Sequence, residues 1–164
     1  MSYLSHRVDR DQIKPGDHIY SWRMQFNYAH HGIYVGENKV IHFTSPENAS
    51  LTFVWNMSSQ PKSCDHDCGS IHKSTGGVFI CCLNCFIGTG SLYLYQYGVS
   101  IFTCVSKLRG GTCTIAPSDP PQDVIARANY LLQHGFTNYN LIRNNCEDFA
   151  LYCKTGLLIT TAGA

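Results

Sequence analysis

The chain has 164 residues, 44% of them apolar and 14% charged, with a formal net charge of +1 at pH 7. This suits one folded domain large enough to bury a core, excludes a disordered chain, and gives no electrostatic footprint for nucleic acid or an anionic membrane surface. No apolar run approaches the roughly 18 residues of a transmembrane helix, and Met1 to Arg7 has no apolar core segment, so neither a membrane span nor a secretory signal is expected.

In chain order, Lys14-Pro15-Gly16-Asp17 predicts a turn leading into a strand over His18 to Trp22. Tyr28 to Val35 and Lys39 to Phe43 are β-rich runs joined by Gly36-Glu37-Asn38, a hairpin signal. Residues 45–76 are polar and rich in Ser, Pro, Gly and Cys, longer than a plain connection needs. They predict a Cys-rich insertion at about 45–81 within a single domain spanning 1–164. Val78 to Cys81, Ser91 to Tyr97 and Ile101 to Val105 are further predicted strands. Tyr93, Tyr95 and Tyr97 alternate, so they share one sheet face, as core, rim or the lining of a groove. Lys107-Leu108-Arg109-Gly110-Gly111 is a small basic turn that lacks a P-loop pattern and reads as solvated surface.

The character then changes. Ser118-Asp119-Pro120-Pro121 predicts a helix start, a cap residue followed by proline in the first turn. Val124, Ala128 and Leu131 give that helix one apolar face, and Gly135 ends it. A second helix is expected from about Cys146 to Lys154, stopping at Gly156. Strands first and helices last predict an α+β fold with a mostly antiparallel sheet.

Asn144-Asn145-Cys146-Glu147-Asp148-Phe149 carries the most chemical information. Asn145 can cap the helix, with Asp148 in the reciprocal capping position. A thiol at Cys146 would then sit at the positive end of the helix dipole, which favours thiolate. Such a nucleophile needs a base and a group to orient that base. The histidines near the other end of the chain are the candidates. If the hairpin loop has three residues, His42 faces Gly32 and His30 lies diagonally beside it on the same face. If the loop has two, His42 groups with His31 and His30 points away, and the residues alone leave this open.

Pro15-Gly16-Asp17, His30-His31-Gly32-Ile33-Tyr34-Val35-Gly36, Val40-Ile41-His42 and Asn145-Cys146-Glu147-Asp148-Phe149 together resemble the lecithin:retinol acyltransferase (LRAT) domain family. Its patterns are P-G-D, H-x-x-I-Y-x-G, V-x-H and N-C-E-H-F. Within it, the plant LEAD-SENSITIVE 1-like or NC-domain group looks nearest. The resemblance implies a permuted NlpC/P60, papain-like fold. It also implies a Cys-His-His triad in which Cys146 is the nucleophile, His30 the base and His42 the orienting group, while His31 falls on a variable position. The implied substrate is a phospholipid or other acyl ester, attacked through a cysteine thioester with no catalytic cofactor. Asp148 departs from the family pattern, which has histidine there.

Nine cysteines without an export signal point to metal or catalysis rather than disulfides, and to a cytoplasmic protein. Cys64-x3-Cys68 and Cys82-x2-Cys85 are two close pairs that a loop could bring together into a tetrahedral structural zinc site, with His66 and His72 nearby. Thiolate ligands would also suit softer thiophilic ions. Cys104, Cys113 and Cys153 have no partner by spacing; Cys104 in its predicted strand and Cys153 on its predicted helix are expected to be core packing. Three functions follow: an LRAT-type acyltransferase or hydrolase, a non-catalytic adaptor or stress-response (metal-tolerance) protein on the same fold, or a zinc- or thiophilic-metal-binding module.

Overall fold

The computed structural model describes residues 6–23, 28–44, 68, 77–106, 112–136 and 145–158. Five strands form one antiparallel sheet: β1 (His18–Arg23), β2 (Tyr28–Gly36), β3 (Lys39–Thr44), β4 (Gly77–Cys82) and β5 (Tyr93–Leu94), in the order β4-β3-β2-β1-β5. The helices are α1 (Leu83–Ile87), α2 (Ile101–Ser106), α3 (Pro121–His134) and α4 (Cys146–Thr155).

The sheet is covered on both faces. On one, Ile33, Ile41, Phe43 and Val78 pack against Val124, Ala128 and Leu131 of α3 and Phe149, Ala150 and Cys153 of α4. On the other, Ile19, Val40 and Cys81 pack against Leu83, Phe86 and Ile87 of α1 and against Val8 and Ile13 from the chain start. Alternation along each strand delivers these residues to opposite faces. The apolar stripe of α3 is the one its spacing predicts.

The β2–β3 hairpin combines both loop lengths that the sequence permits. Its tip is a two-residue turn, Glu37 and Asn38, both with positive φ (49° and 60°), between Gly36 and Lys39. A register shift between Tyr34 and Gly36 then absorbs one residue. Beyond it the pairs are Tyr34↔Val40, Ile33↔Ile41 and Gly32↔His42, the register of a three-residue loop. Gly32 is required there: a Cβ would lie 2.7 Å from Val40 Cγ1 and 2.8 Å from Phe86 Cε2.

Three expectations need correction. Ile101 to Val105 is helix α2, not a strand. Ser100 Oγ accepts from the Thr103 amide at 3.2 Å and meets Thr103 Oγ1 at 2.8 Å. Ile101, Phe102 and Val105 are 58%, 84% and 76% exposed, so this β-branched run gains no sheet face to bury and local capping decides. Of Ser91 to Tyr97, only Tyr93–Leu94 joins the sheet, against Ile19 and Tyr20 of β1, and Gln96 turns away to bridge Cys113. Tyr93 and Tyr95 are core, clustered with Tyr20, and Tyr97 packs against them. Finally, α3 begins at Pro121 without a side-chain cap. Ser118 bonds the Asp119 carbonyl instead, and the Asp119 carboxylate is committed to Arg127 at 2.7 Å.

The helix end at Gly135 and the α4 boundaries agree with the sequence reading. Helix α1 has no counterpart in it; Cys82 caps α1 through its sulfur, an unusual cap residue. Of the predicted insertion, 45–67 and 69–76 lie outside the described residues, as does the basic turn Lys107 to Gly111.

Candidate functional site

Cys146 is the first residue of α4 and only 2% exposed. The predicted capping box is present. Asn145 Oδ1 accepts from the amides of Glu147 and Asp148, both at 3.0 Å, and Asp148 Oδ2 accepts from the Asn145 amide at 3.2 Å. Asp148 therefore serves the cap. The cap also occupies two first-turn N–H groups that could otherwise stabilise an oxyanion. Asn144 lies outside the described residues.

The register settles which histidines meet. His30 Nε2 and His42 Nδ1 are 3.0 Å apart, a bond in which one ring donates and the other accepts. The rings meet edge to face at 5.0 Å, with Phe86 of α1 against both. They lie on the α1 face of the sheet, whereas α4 packs on the opposite face. The two sides come together where β2 and β3 part. Among the described residues, the β2–β3 ladder ends at Gly32↔His42, and Tyr28 to His31 pair only with β1. In that opening the Cys146 thiol donates to the Ala29 carbonyl at 3.7 Å, immediately before His30 in the chain.

His31 points to the α4 face, into a second buried histidine pair that sequence reasoning missed. His18 Nε2 lies 2.7 Å from His31 Nδ1, and His18 Nδ1 lies 2.8 Å from the Tyr97 hydroxyl. Tyr95 stacks on His18 with ring centroids 4.2 Å apart, and its hydroxyl donates to Glu147 Oε1 at 3.4 Å, next to Cys146. Burial pushes the Glu147 carboxyl up, and the Asp148 charge adds to this. The same burial raises the Tyr95 and Tyr97 hydroxyls. It lowers His18, helped by His31 and Lys154, and takes His31 down to about 3. The sequence signal for this pair is slight: His18 and His31 sit on neighbouring strands two residues out of register, diagonal neighbours on one face, which needs the structure to read.

A third cluster lies beside α1. The sulfurs of Cys68, Cys82 and Cys85 all lie within 4.8 Å of one another. A tetrahedral site with Zn–S bonds of about 2.3 Å would space its sulfurs about 3.8 Å apart, so a small adjustment would admit an ion. Cys82 Sγ accepts the Cys85 amide at 3.4 Å, which fixes its sulfur at the start of α1. The fourth predicted ligand, Cys64, and its neighbours His66 and His72 lie outside the described residues. Cys153 is buried core, as expected, its thiol pushed up to about 12 by burial. Cys104 and Cys113 are not mere packing: their sulfurs are 2.6 Å apart.

The family model described as lecithin retinol acyltransferase matches residues 11–159. The chain belongs to this family. Its antiparallel sheet with flanking helices is the family's NlpC/P60-like, papain-like fold. The chain is 47% identical to Protein LEAD-SENSITIVE 1 of Arabidopsis thaliana over 97% of its own length and 64% of that protein. It is 30% identical to lecithin retinol acyltransferase of Mus musculus, over 82% of this chain and 52% of the relative, and 29% to that of Homo sapiens, over 80% and 51%. It thus spans about half to two thirds of the curated relatives it matches. Among the described residues, no helix is long and apolar enough to cross a membrane.

The buried His18–His31 pair makes stability pH-dependent. In the unfolded chain both rings bind protons below about pH 6.5, while the folded state holds them neutral down to about 3 at His31. The unfolded state therefore binds more protons, so stability present above pH 6.5 falls as the pH drops, by up to about 1.4 kcal/mol per pH unit for each ring. Urea unfolding between pH 7 and 4 should show this slope, flattened in His31→Gln. An unchanged slope in that variant would contradict the assignment.

Proposed function

We propose that this domain is a cysteine acyl-transfer enzyme, working as a transferase or hydrolase on phospholipid or another acyl ester. The observation that carries the reading is the Cys146 thiol bonded to the carbonyl next to His30, whose ring is joined to His42. His30 uses Nε2 toward His42, so Nδ1 is the nitrogen to take the thiol proton. The Cys146 thiolate attacks the ester carbonyl, and the oxyanion is met by the Cys146 amide. Collapse forms the thioester and expels the alcohol, which His30 protonates. Attack by water or another acceptor, with His30 as base, then frees the cysteine. His42 orients His30 and stabilises its protonated form, while Glu147, half-buried and bonded to Tyr95, fixes the first turn of α4.

This makes His31 structural and His30 chemical, although they are adjacent. Incubation with phosphatidylcholine vesicles should add one fatty-acyl mass to the protein, absent in Cys146→Ala. Single-turnover acylation should slow about 10²- to 10⁴-fold in His30→Gln and far less in His31→Gln. Failure of wild-type protein to form the adduct with phospholipid or with an activated acyl ester would contradict the reading.

The thiol cluster favours a second, compatible role. We propose that Cys68, Cys82 and Cys85, with Cys64 as fourth ligand, hold a structural zinc or a softer thiophilic ion. The ion would tie the segment before β4 to α1. Native mass spectrometry of zinc-loaded protein should show one ion per chain, lost in the double substitution Cys82→Ser, Cys85→Ser. Retention of the ion in that variant would contradict the site.

A further inference from the structure

Cys104 of α2 and Cys113 lie outside both sites described above. Their sulfurs are 2.6 Å apart, and both residues are partly exposed, open to a small reagent in solution. They are ten residues of chain, inclusive, so a bond between them closes a short loop. Helix α2 is six residues long and turns Ile101, Phe102 and Val105 to solvent. Cys113 sits in a better anchored place. It bridges Gln96, its carbonyl accepts from the Tyr95 hydroxyl at 3.3 Å, and the Thr114 amide donates to the Gln96 carbonyl at 2.8 Å.

We propose that Cys104 and Cys113 are a redox-active dithiol that forms a reversible disulfide by exchange with a small-molecule disulfide of the glutathione class. The thiolate of one cysteine attacks a sulfur of oxidised glutathione, forming a mixed disulfide and releasing one glutathione thiolate. The second cysteine attacks the mixed disulfide at the protein sulfur, forming the Cys104–Cys113 bond and releasing the second glutathione. Two protein thiols are oxidised, one glutathione disulfide is reduced to two thiols, and the two protons pass from the cysteines to the released glutathiones. The sub-ångström approach needed to reach a bond of about 2.05 Å is within side-chain motion. Oxidation fastens α2 to the 112–114 segment, and so to Tyr95 and the first turn of α4 beyond it.

The proposal is independent of the acyl-transfer reading, because its readout is the bond itself. Folded wild-type protein is equilibrated across ratios of oxidised to reduced glutathione, quenched with an alkylating reagent and peptide-mapped. The expected result is a cross-linked Cys104–Cys113 peptide, two thiols of the nine lost to alkylation in step, and reversal on adding reduced glutathione. In Cys113→Ser, the mixed disulfide should instead accumulate on Cys104. Two outcomes would overturn the proposal: both cysteines staying alkylatable under conditions that oxidise other cysteines of the chain, or either one mapping to a different partner.

Discussion

A single extra residue in β2, between Tyr34 and Gly36, decides which histidines share a face of the sheet. The type I′ geometry of Glu37 and Asn38 alone would pair His42 with the odd-numbered residues of β2. The register shift moves the ladder by one, so that Gly32 faces His42 and His30 joins it on the α1 face. The surroundings of both β2 histidines follow from that shift. The space that Gly32 leaves is taken by Val40 and Phe86, and Phe86 then walls both histidine rings. His31, sent to the other face, finds His18 and becomes part of the packing beneath α4.

The second constraint is the parting of β2 from β3 below Gly32. A continuous ladder would have closed the sheet between a cysteine carried by a helix on one face and histidines on the other. Where the strands separate, the start of α4 can reach the backbone of β2 beside His30. The capping box fixes that start, with Asn145 and Asp148 locking the first turn in both directions. Thus the Asn-Cys-Glu-Asp sequence does more than present a thiol. It spends its polar groups on fixing the first turn that carries the thiol.

Much of this was legible from residues alone. The capping box, the apolar stripe of α3 and the terminating Gly135 and Gly156 are local and strongly patterned, and each is where the sequence predicts it. The hairpin was visible as an element, but its register depended on a bulge that no turn residue announces. Motif resemblance selected His30 where periodicity was silent. The run Ile101 to Val105 misled because β-branched residues signal strands only when a sheet edge is there to receive them. The His18–His31 and Cys104–Cys113 contacts join residues on different elements, so neither spacing nor composition encodes them. The Ser118-Asp119 segment offers cap residues by type, yet Ser118 Oγ bonds the Asp119 carbonyl and the Asp119 carboxylate pairs with Arg127, so α3 starts without a side-chain cap.

The central claim is that His30, and not its neighbour His31, is the ring that works with Cys146. The most direct measurement is the rate of Cys146 alkylation by iodoacetamide as a function of pH, in wild-type protein, His30→Gln and His31→Gln, each confirmed folded by circular dichroism. Paired with His30, the thiolate should react in wild-type protein well below the pH expected of an ordinary cysteine, about 8.5. Loss of His30 should move that profile upward, and loss of His31 should leave it in place. A profile that shifts with His31, or is indifferent to His30, would contradict the account.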